Sequence, residues 1–476
     1  MFRSFRNRLI LYTVLALGVL GLTPVLFYLD PGFIGHAWRD RVELFTLFAF
    51  GWTLLTIAVV FVEVRIRRAV TFGDLQHIVL PALVVTLYAY LVTFYFWHEN
   101  YDYGCYSSAA MALQKEESMY GHGYLYTPVL AYILYAAFHL ISAVAGFLNI
   151  HVLDAQIWLM VFYFYKCSQV LFLAGSIILS LYLARNLGIG KSAAVYLVSA
   201  LFLFNVPLIS TLYWGQVNLV ILFLFLASIA WLPRSPFMAG IVVGAGGMVK
   251  YYMLALVVPW IREQNWKALV GLVAGVCIVF IVTLLSVGAS RAWSDFFALQ
   301  FLPEINYSFW NRSILSFVYA FLTICIPGLR SIDSPAESIA IISHIVAIAV
   351  TGIYFLVRLH RRCLVFKSVR TDGRDEVFLN TFRLQYSNAA DFLALAVFVS
   401  PLLWTHHFVL VMPLAIAAFI ANGQNRKLLF LLASFLIFGL PMFDVFPFSY
   451  AGLAGVALLF WLTSPSEIKP AIARIE

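Results

Sequence analysis

Two ionisable residues outline the chemistry open to this chain. Asp102 stands in 97–128, the longest polar interruption in the first half of an oily sequence, directly after an apolar run that ends near Phe96. Lys250 stands alone between two apolar runs, 237–249 and 251–261. A carboxylate at a membrane surface can take a proton from a hydroxyl, and an ammonium inside apolar sequence can hold an anion. Further polar side chains recur at the ends of apolar runs: Glu99, Tyr126, Gln216, Asn218, Asn311, Arg312, His406 and His407. Ionisable groups placed there are costly in lipid and are functional candidates by default.

Each candidate also has a plainer reading. Asp102 equally suits the N-cap of a helix expected over 104–118. Lys250 could snorkel or pair with a carboxylate, although it lies away from any basic edge. Of His406 and His407, one is expected to work and the other to serve the turn. Gln216, Asn218 and Asn311 could satisfy backbone groups at turns. Lys166, in mid-run, is expected to pair with Asp154 or a lipid head group.

The elements that must carry these residues follow from composition. The 476 residues are 63% hydrophobic and 11% charged, with a mean hydropathy of +0.93. A soluble domain carries about 25% charged residues, so the chain reads as an all-α polytopic membrane protein. The net charge of +8 does not point to nucleic acid. Most Lys and Arg residues fall in short polar breaks that one side of a membrane can collect, which makes them a topology signal. Five cysteines, at 105, 167, 277, 325 and 363, show no paired or metal-ligand spacing, which argues against a disulfide framework and a zinc site.

With the N-terminus inside, spans at 9–29, 43–64 and 76–96 put Asp102 on the outer face. The apolar run 128–147 is read as lying in the outer interface, because a crossing there would strand Arg185 and Lys191 outside. Spans at 155–184 and 192–212 follow, then a turn at 213–218 and a descent to Arg234. The arms 237–249 and 251–261 are each too short for a bilayer of about 30 Å, and are expected to meet at Lys250. Spans at 267–288, 337–358, 388–404, 407–421, 428–443 and 448–463 complete about fourteen crossings, in a bundle of about 12–14 transmembrane helices. An outer loop over 291–335 and a basic inner loop over 359–387 separate them.

Several short motifs occur in a fixed order. These are Tyr101-Asp102-Tyr103, Tyr124-Leu125-Tyr126-Thr127-Pro128, Gly215-Gln216-Val217-Asn218, the glycine-rich run from Gly240 through Gly244 to Lys250, Asn311-Arg312-Ser313, and Ser400 to His407. The series resembles the polyprenyl-phosphate-mannose-dependent mannosyltransferases of glycosyltransferase family 87, in the GT-C superfamily, over about 76–421. That resemblance implies a GT-C-type bundle with extracytoplasmic juxtamembrane helices. It implies inverting transfer of a sugar, mannose first, from a polyprenyl-phosphate donor to a lipid or glycan acceptor.

Under the resemblance, Asp102 matches the general base, and Lys250 the lysine near the donor phosphate. One or both of His406 and His407 are expected to help neutralise that phosphate. Glu99, Tyr126, Gln216, Asn218, Asn311 and Arg312 are expected to line the substrates. The family's Asn-Gln-Ser reads Asn-Arg-Ser here, with Arg312 in place of Gln. No cofactor is expected and no metal is required: no Asp-x-Asp pair accompanies Asp102, and Glu99 with Asp102 is only a weak metal-ligand candidate. The partners implied are the lipid-linked sugar, the acceptor and membrane lipids. The expected location is the cell inner (plasma) membrane, with the site extracytoplasmic and both termini cytoplasmic. Residues 1–70 read as an added transmembrane hairpin, and 71–476 as the catalytic domain. The competing class is a lipid or sugar transporter or flippase, for which a buried lysine and broken helices are equally natural. Against it, no repeat relates the two halves, and the polar groups crowd one level.

Overall fold

The computed structural model describes residues 100–203, 205–301, 311–325, 335–368, 374–422, 426–440 and 446–463. The three expected spans before residue 97, the 1–70 hairpin and Glu99 lie outside the described residues. All regular structure among the described residues is helical, and several helices are long and apolar enough to cross a membrane. The chain is an all-α polytopic membrane protein.

Helix α1 (Tyr101–Gln114) opens the described chain. It begins three residues before the expected start, because the Gly104 N–H already closes a first turn on the Asn100 carbonyl at 2.8 Å. After it come α2 (Val129–Phe147), α3 (Asp154–Asn186), α4 (Lys191–Leu203) and α5 (Val206–Trp214). Helices α2 and α3 qualify as crossings by length and composition. The interfacial placement of α2 rests on the charge argument alone. Helices α4 and α5 form one bent pair, turned by 49°. Asn205 explains the bend: its Oδ1 caps the Leu208 N–H at 2.7 Å while its Nδ2 reaches back to the Leu201 carbonyl at 2.9 Å. Pro207 follows in the first turn, where a missing N–H does no harm.

Helices α6 (Asn218–Trp231) and α7 (Pro236–Val249) are short. Fourteen residues cover about 21 Å, less than a hydrocarbon core of about 30 Å. The chain breaks at Lys250, whose backbone is extended (φ −149, ψ 118), and resumes as a 3₁₀ turn over Tyr251–Leu256 that leads into α8 (Val257–Arg262). This is the broken arm expected from sequence. Helix α9 (Trp266–Leu284) is a full-length apolar helix and packs tightly along α7. The contact is backbone on backbone. A Cβ at Gly240 or Gly244 would strike the carbonyls of Ala268 or Leu272, and one at Gly271 or Gly275 those of Phe237 or Ile241. Small residues four apart on both partners let two membrane helices approach this closely.

The remaining helices are α10 (Ala289–Phe301), α11 (Ile314–Cys325), α12 (Pro335–Ser368), α13 (Arg374–Phe398), α14 (Met412–Asn422), α15 (Lys427–Ser434) and α16 (Ala451–Leu462). The basic segment expected as an inner loop is therefore largely helical. Arg358, the last residue of the span expected over 337–358, is buried. It pairs with Asp391 on α13 and donates to the Phe460 carbonyl at 2.8 Å, tying three helices together. The Asp154 partner expected for Lys166 is also corrected. Asp154 lies twelve residues away on the same helix, about 18 Å and out of reach, and the buried ammonium of Lys166 sits 5.2 Å from the Phe162 ring centre.

Two large apolar cores result. One gathers α4 to α6, the Tyr251–Leu256 turn, α13, α14 and α16; the other gathers α1, α2 and the first half of α3. Val249 packs against both. Its neighbour Lys250 thus lies at their seam.

Candidate active site

Four chain segments converge at that seam: the first turn of α1 with Asp102, the first residue of α6 with Asn218, the break after α7 with Lys250, and the 3₁₀ turn Thr405–Val411 with His406 and His407. Gly215 steers the chain into it. This residue ends α5 in the left-handed region (φ 67), and a Cβ would lie 3.2 Å from that of Tyr103. Only glycine takes that conformation without strain, and Gln216 follows directly into the site.

Lys250 is the hub. Its Nζ donates to Asn218 Oδ1 at 2.7 Å and lies 5.2 Å and 5.3 Å from the ring centres of Tyr126 and Tyr252. Asn218 Nδ2 donates to the His406 carbonyl at 3.0 Å, and Thr211 Oγ1 donates to the same oxygen at 3.0 Å. The ammonium therefore stands at the N-terminal end of α6. A cation and the positive end of a helix dipole together favour an anion.

Asp102 is buried, and its Oδ2 has no hydrogen-bond partner. It is not the helix cap: Asn100 holds that position, and Asp102 is the second residue of the first turn. Gln216 is locked beside it. Its Oε1 accepts from Tyr126 at 2.8 Å and Tyr106 at 3.3 Å, which leaves the amide NH₂ for the Asp102 carboxylate. Burial pushes the Asp102 carboxyl up to about 6, while the Gln216 hydrogen bond and the Lys250 charge pull it down. Asp102 and Lys250 attract each other but form no ion pair. An acid with a bare oxygen and a cation thus share one seam without cancelling.

The histidines differ in role. His407 Nδ1 accepts the Trp404 N–H at 3.3 Å, so in the neutral ring the proton sits on Nε2. Tyr252 OH lies 3.3 Å from the same nitrogen and 3.1 Å from Ser400 Oγ. His406 contributes its carbonyl to the Asn218 and Thr211 contacts. Asn311 and Arg312 hold the turn that carries the histidines. Asn311 Oδ1 accepts from Leu403 N at 3.0 Å, its Nδ2 donates to the Pro401 carbonyl at 2.9 Å, and Arg312 N–H donates to the Leu403 carbonyl at 2.5 Å.

The structure therefore joins Asp102, Tyr126, Gln216, Asn218, Lys250, His406 and His407 in one network, with Asn311 and Arg312 behind the histidine turn. Sequence reasoning missed Tyr106, Thr211, Tyr252 and Ser400. Tyr106 lies one helical turn beyond Asp102, a spacing that puts both on one face. Tyr106 and Tyr252 are buried and Tyr126, a candidate from sequence, is half-buried in the site. Asp102, Gln216, Asn218 and Lys250 are each at most 7% exposed.

The model of glycosyltransferase family 87 matches residues 124–370, more than half of the chain. The chain belongs to glycosyltransferase family 87. The matched stretch contains Tyr126, Gln216, Asn218, Lys250, Asn311 and Arg312; Asp102 and the two histidines lie outside it and join the site through the fold. No curated protein and no solved structure matches the chain. Family 87 membership places the chain among glycosyltransferases and not among the transporters that its buried lysine and broken helix would equally suit.

Proposed function

We propose that this family 87 glycosyltransferase moves a hexose, mannose in the first instance, from a polyprenyl-phosphate sugar to a hydroxyl of a lipid or glycan acceptor. The acceptor hydroxyl gives its proton to Asp102 as its oxygen bonds to the anomeric carbon. The bond from that carbon to the phosphate oxygen breaks, and the polyprenyl phosphate departs with the electron pair toward Lys250. Attack opposite the leaving group inverts the anomeric centre. The single observation that carries this reading is the pairing of roles at the seam: a buried carboxylate with a free oxygen, and an ammonium at a helix N-terminus, near enough to feel each other yet unpaired.

Positive charge on a departing phosphate and a base on the incoming hydroxyl are what such a displacement needs. His407, with its proton on Nε2, supplies a further donor, and Tyr126 and Tyr252 offer ring faces to the cation. The proposal includes no metal or other cofactor. In this reading the site faces the extracytoplasmic side of the cell inner (plasma) membrane, an orientation that the distribution of Lys and Arg supports, and a lipid-borne donor enters sideways from the leaflet. The test is transfer of label from radiolabelled polyprenyl-phosphate-mannose by the purified protein in detergent, with wild type beside Asp102→Asn. Loss of transfer in the variant is expected. Undiminished transfer would remove Asp102 from its role.

A further inference from the structure

The sequence places Gln216 among the residues that line the substrates. In the structure its amide is engaged at both ends by the protein itself, and the residue is 2% exposed. The amide oxygen faces two tyrosine hydroxyls, Tyr126 at 2.8 Å and Tyr106 at 3.3 Å, and the amide nitrogen faces the carboxylate of Asp102.

An ionised carboxylate accepts hydrogen bonds and donates none, so of the amide's two ends it can use only the NH₂. The hydroxyls then meet the amide oxygen as donors. Turning the amide over would set its oxygen against the carboxylate, and two acceptors with no proton between them repel. The sense of the amide is therefore fixed from both sides.

The backbone that carries Gln216 is pinned as well. Its N–H donates to the Thr211 carbonyl at 2.9 Å, and the carbonyl of the preceding Gly215 accepts from the Tyr165 hydroxyl at 2.5 Å. The two tyrosines that hold the amide come from separate places: Tyr106 lies one turn beyond Asp102 on α1, and Tyr126 lies ahead of α2. Their rings meet edge-on, with centres 5.3 Å apart.

This arrangement also orients the carboxyl. Asp102 Oδ2 has no partner, so the amide engages the other oxygen, and Oδ2 is the one left to face an acceptor hydroxyl. Of the groups that feel the Asp102 charge, Tyr101, Cys105 and Tyr106 lie on its own helix, Tyr126 ahead of α2, and Lys250 at the break after α7. Phenols and thiols are neutral at about pH 6. Lys250 by its charge and Gln216 by its hydrogen bond are thus what offset burial. A charge acts at a distance, whereas the hydrogen bond also fixes which oxygen stays bare.

We propose that Gln216 is a positioning residue for Asp102 and not a substrate contact: Tyr106 and Tyr126 hold its amide oxygen, its NH₂ holds one carboxylate oxygen, and the other is presented to the acceptor hydroxyl. The proposal rests on the glycosyltransferase reading above, in which Asp102 is the base, and adds how that base is aimed and kept ionised. Gln216 acts through Asp102 and does not touch the reacting atoms.

The test uses the full chain in detergent. Gln216→Met keeps the side chain's length and removes the amide; Tyr126→Phe keeps the ring beside Lys250 and removes one of the two donors. Two readouts are taken against pH. One is kcat and KM for transfer from polyprenyl-phosphate-mannose to an alkyl mannoside. The other is the titration of the Asp102 carboxyl by infrared difference spectroscopy, its band assigned by its absence from Asp102→Asn. Losing a hydrogen bond to a buried charge is expected to raise the midpoint in both readouts by about one to two pH units in Gln216→Met, and by less in Tyr126→Phe. The kcat lost at about pH 6 is then largely regained above about pH 8, where the carboxyl is ionised again, and KM stays near wild type. A kcat that falls equally at every pH with an unmoved midpoint would overturn the proposal in favour of plain structural support. A rise in KM with an unmoved midpoint, the mark of a substrate contact, would overturn it too. If Gln216→Met fails to fold, Tyr126→Phe decides by the same readouts. An infrared midpoint that rises in the variants of a protein that transfers sugar to no acceptor would uphold the positioning role and sink the transfer reading.

Discussion

Replacing Asp102 by asparagine tests the site through two opposite effects of one change. The carboxyl is held up to about 6 against its ordinary 3.8 because burial disfavours its charge more than Gln216 and Lys250 favour it. Each unit of such a shift is worth 1.36 kcal/mol, so the ionised side chain costs the folded protein about 3 kcal/mol. The sign follows from the folded value lying above the unfolded one. Below pH 3.8 the group is protonated in both states and the cost is absent; it grows between 3.8 and 6 and is complete above 6. Asparagine carries no such charge. Asp102→Asn is therefore expected to melt higher than wild type at pH 7.5 and alongside it near pH 3.5, by fluorescence-monitored unfolding in detergent. The same variant should lose about 10² to 10⁴-fold in transfer rate, the share a general base supplies. Wild-type transfer should rise with pH up to about 6 and level off above, since the base works only when ionised. An asparagine variant that is both inactive and less stable at pH 7.5 would refute the reasoning: Asp102 would then be a structural support whose removal damages the fold.

Lys250→Met removes the positive charge that lowers the Asp102 carboxyl, so the rising limb of the pH–rate profile should move to higher pH, with a fall in kcat of about 10² to 10³-fold if the ammonium stabilises the departing phosphate. Gly244→Leu places a side chain on the Leu272 carbonyl and should abolish the monodisperse peak in size-exclusion chromatography, whereas Gly352→Ala, with nothing within 4 Å, should stabilise α12 by about 0.5–1 kcal/mol. Asp391→Asn leaves the buried Arg358 guanidinium without its counter-charge and should cost about 3–5 kcal/mol, read as a fall in melting temperature at unchanged KM.

Composition alone determined the solvent of this protein, and with it the helical class. So much apolar surface has no soluble core to enter, and a backbone in lipid must satisfy itself internally. The break at Lys250 was legible too, because two arms of about a dozen residues cannot cross singly and a lone cation between them has to be served by something. The order of short motifs also carried the family resemblance.

Tertiary structure alone decided how those residues are used. Asp102 as cap or as free acid depends on where α1 begins, and that is set by a hydrogen bond to the Asn100 carbonyl that no local pattern marks. Asn218 meets Lys250 across 32 residues because α6 and α7 pack as a short antiparallel pair. Tyr106 and Tyr252 look like any interfacial aromatic in sequence and become site residues only when two separate cores close on Val249. Sequence records which groups are too polar for their surroundings. Which of them face one another depends on long-range packing, where small residues such as Gly240 and Gly275 set helix separations to within a fraction of a side chain.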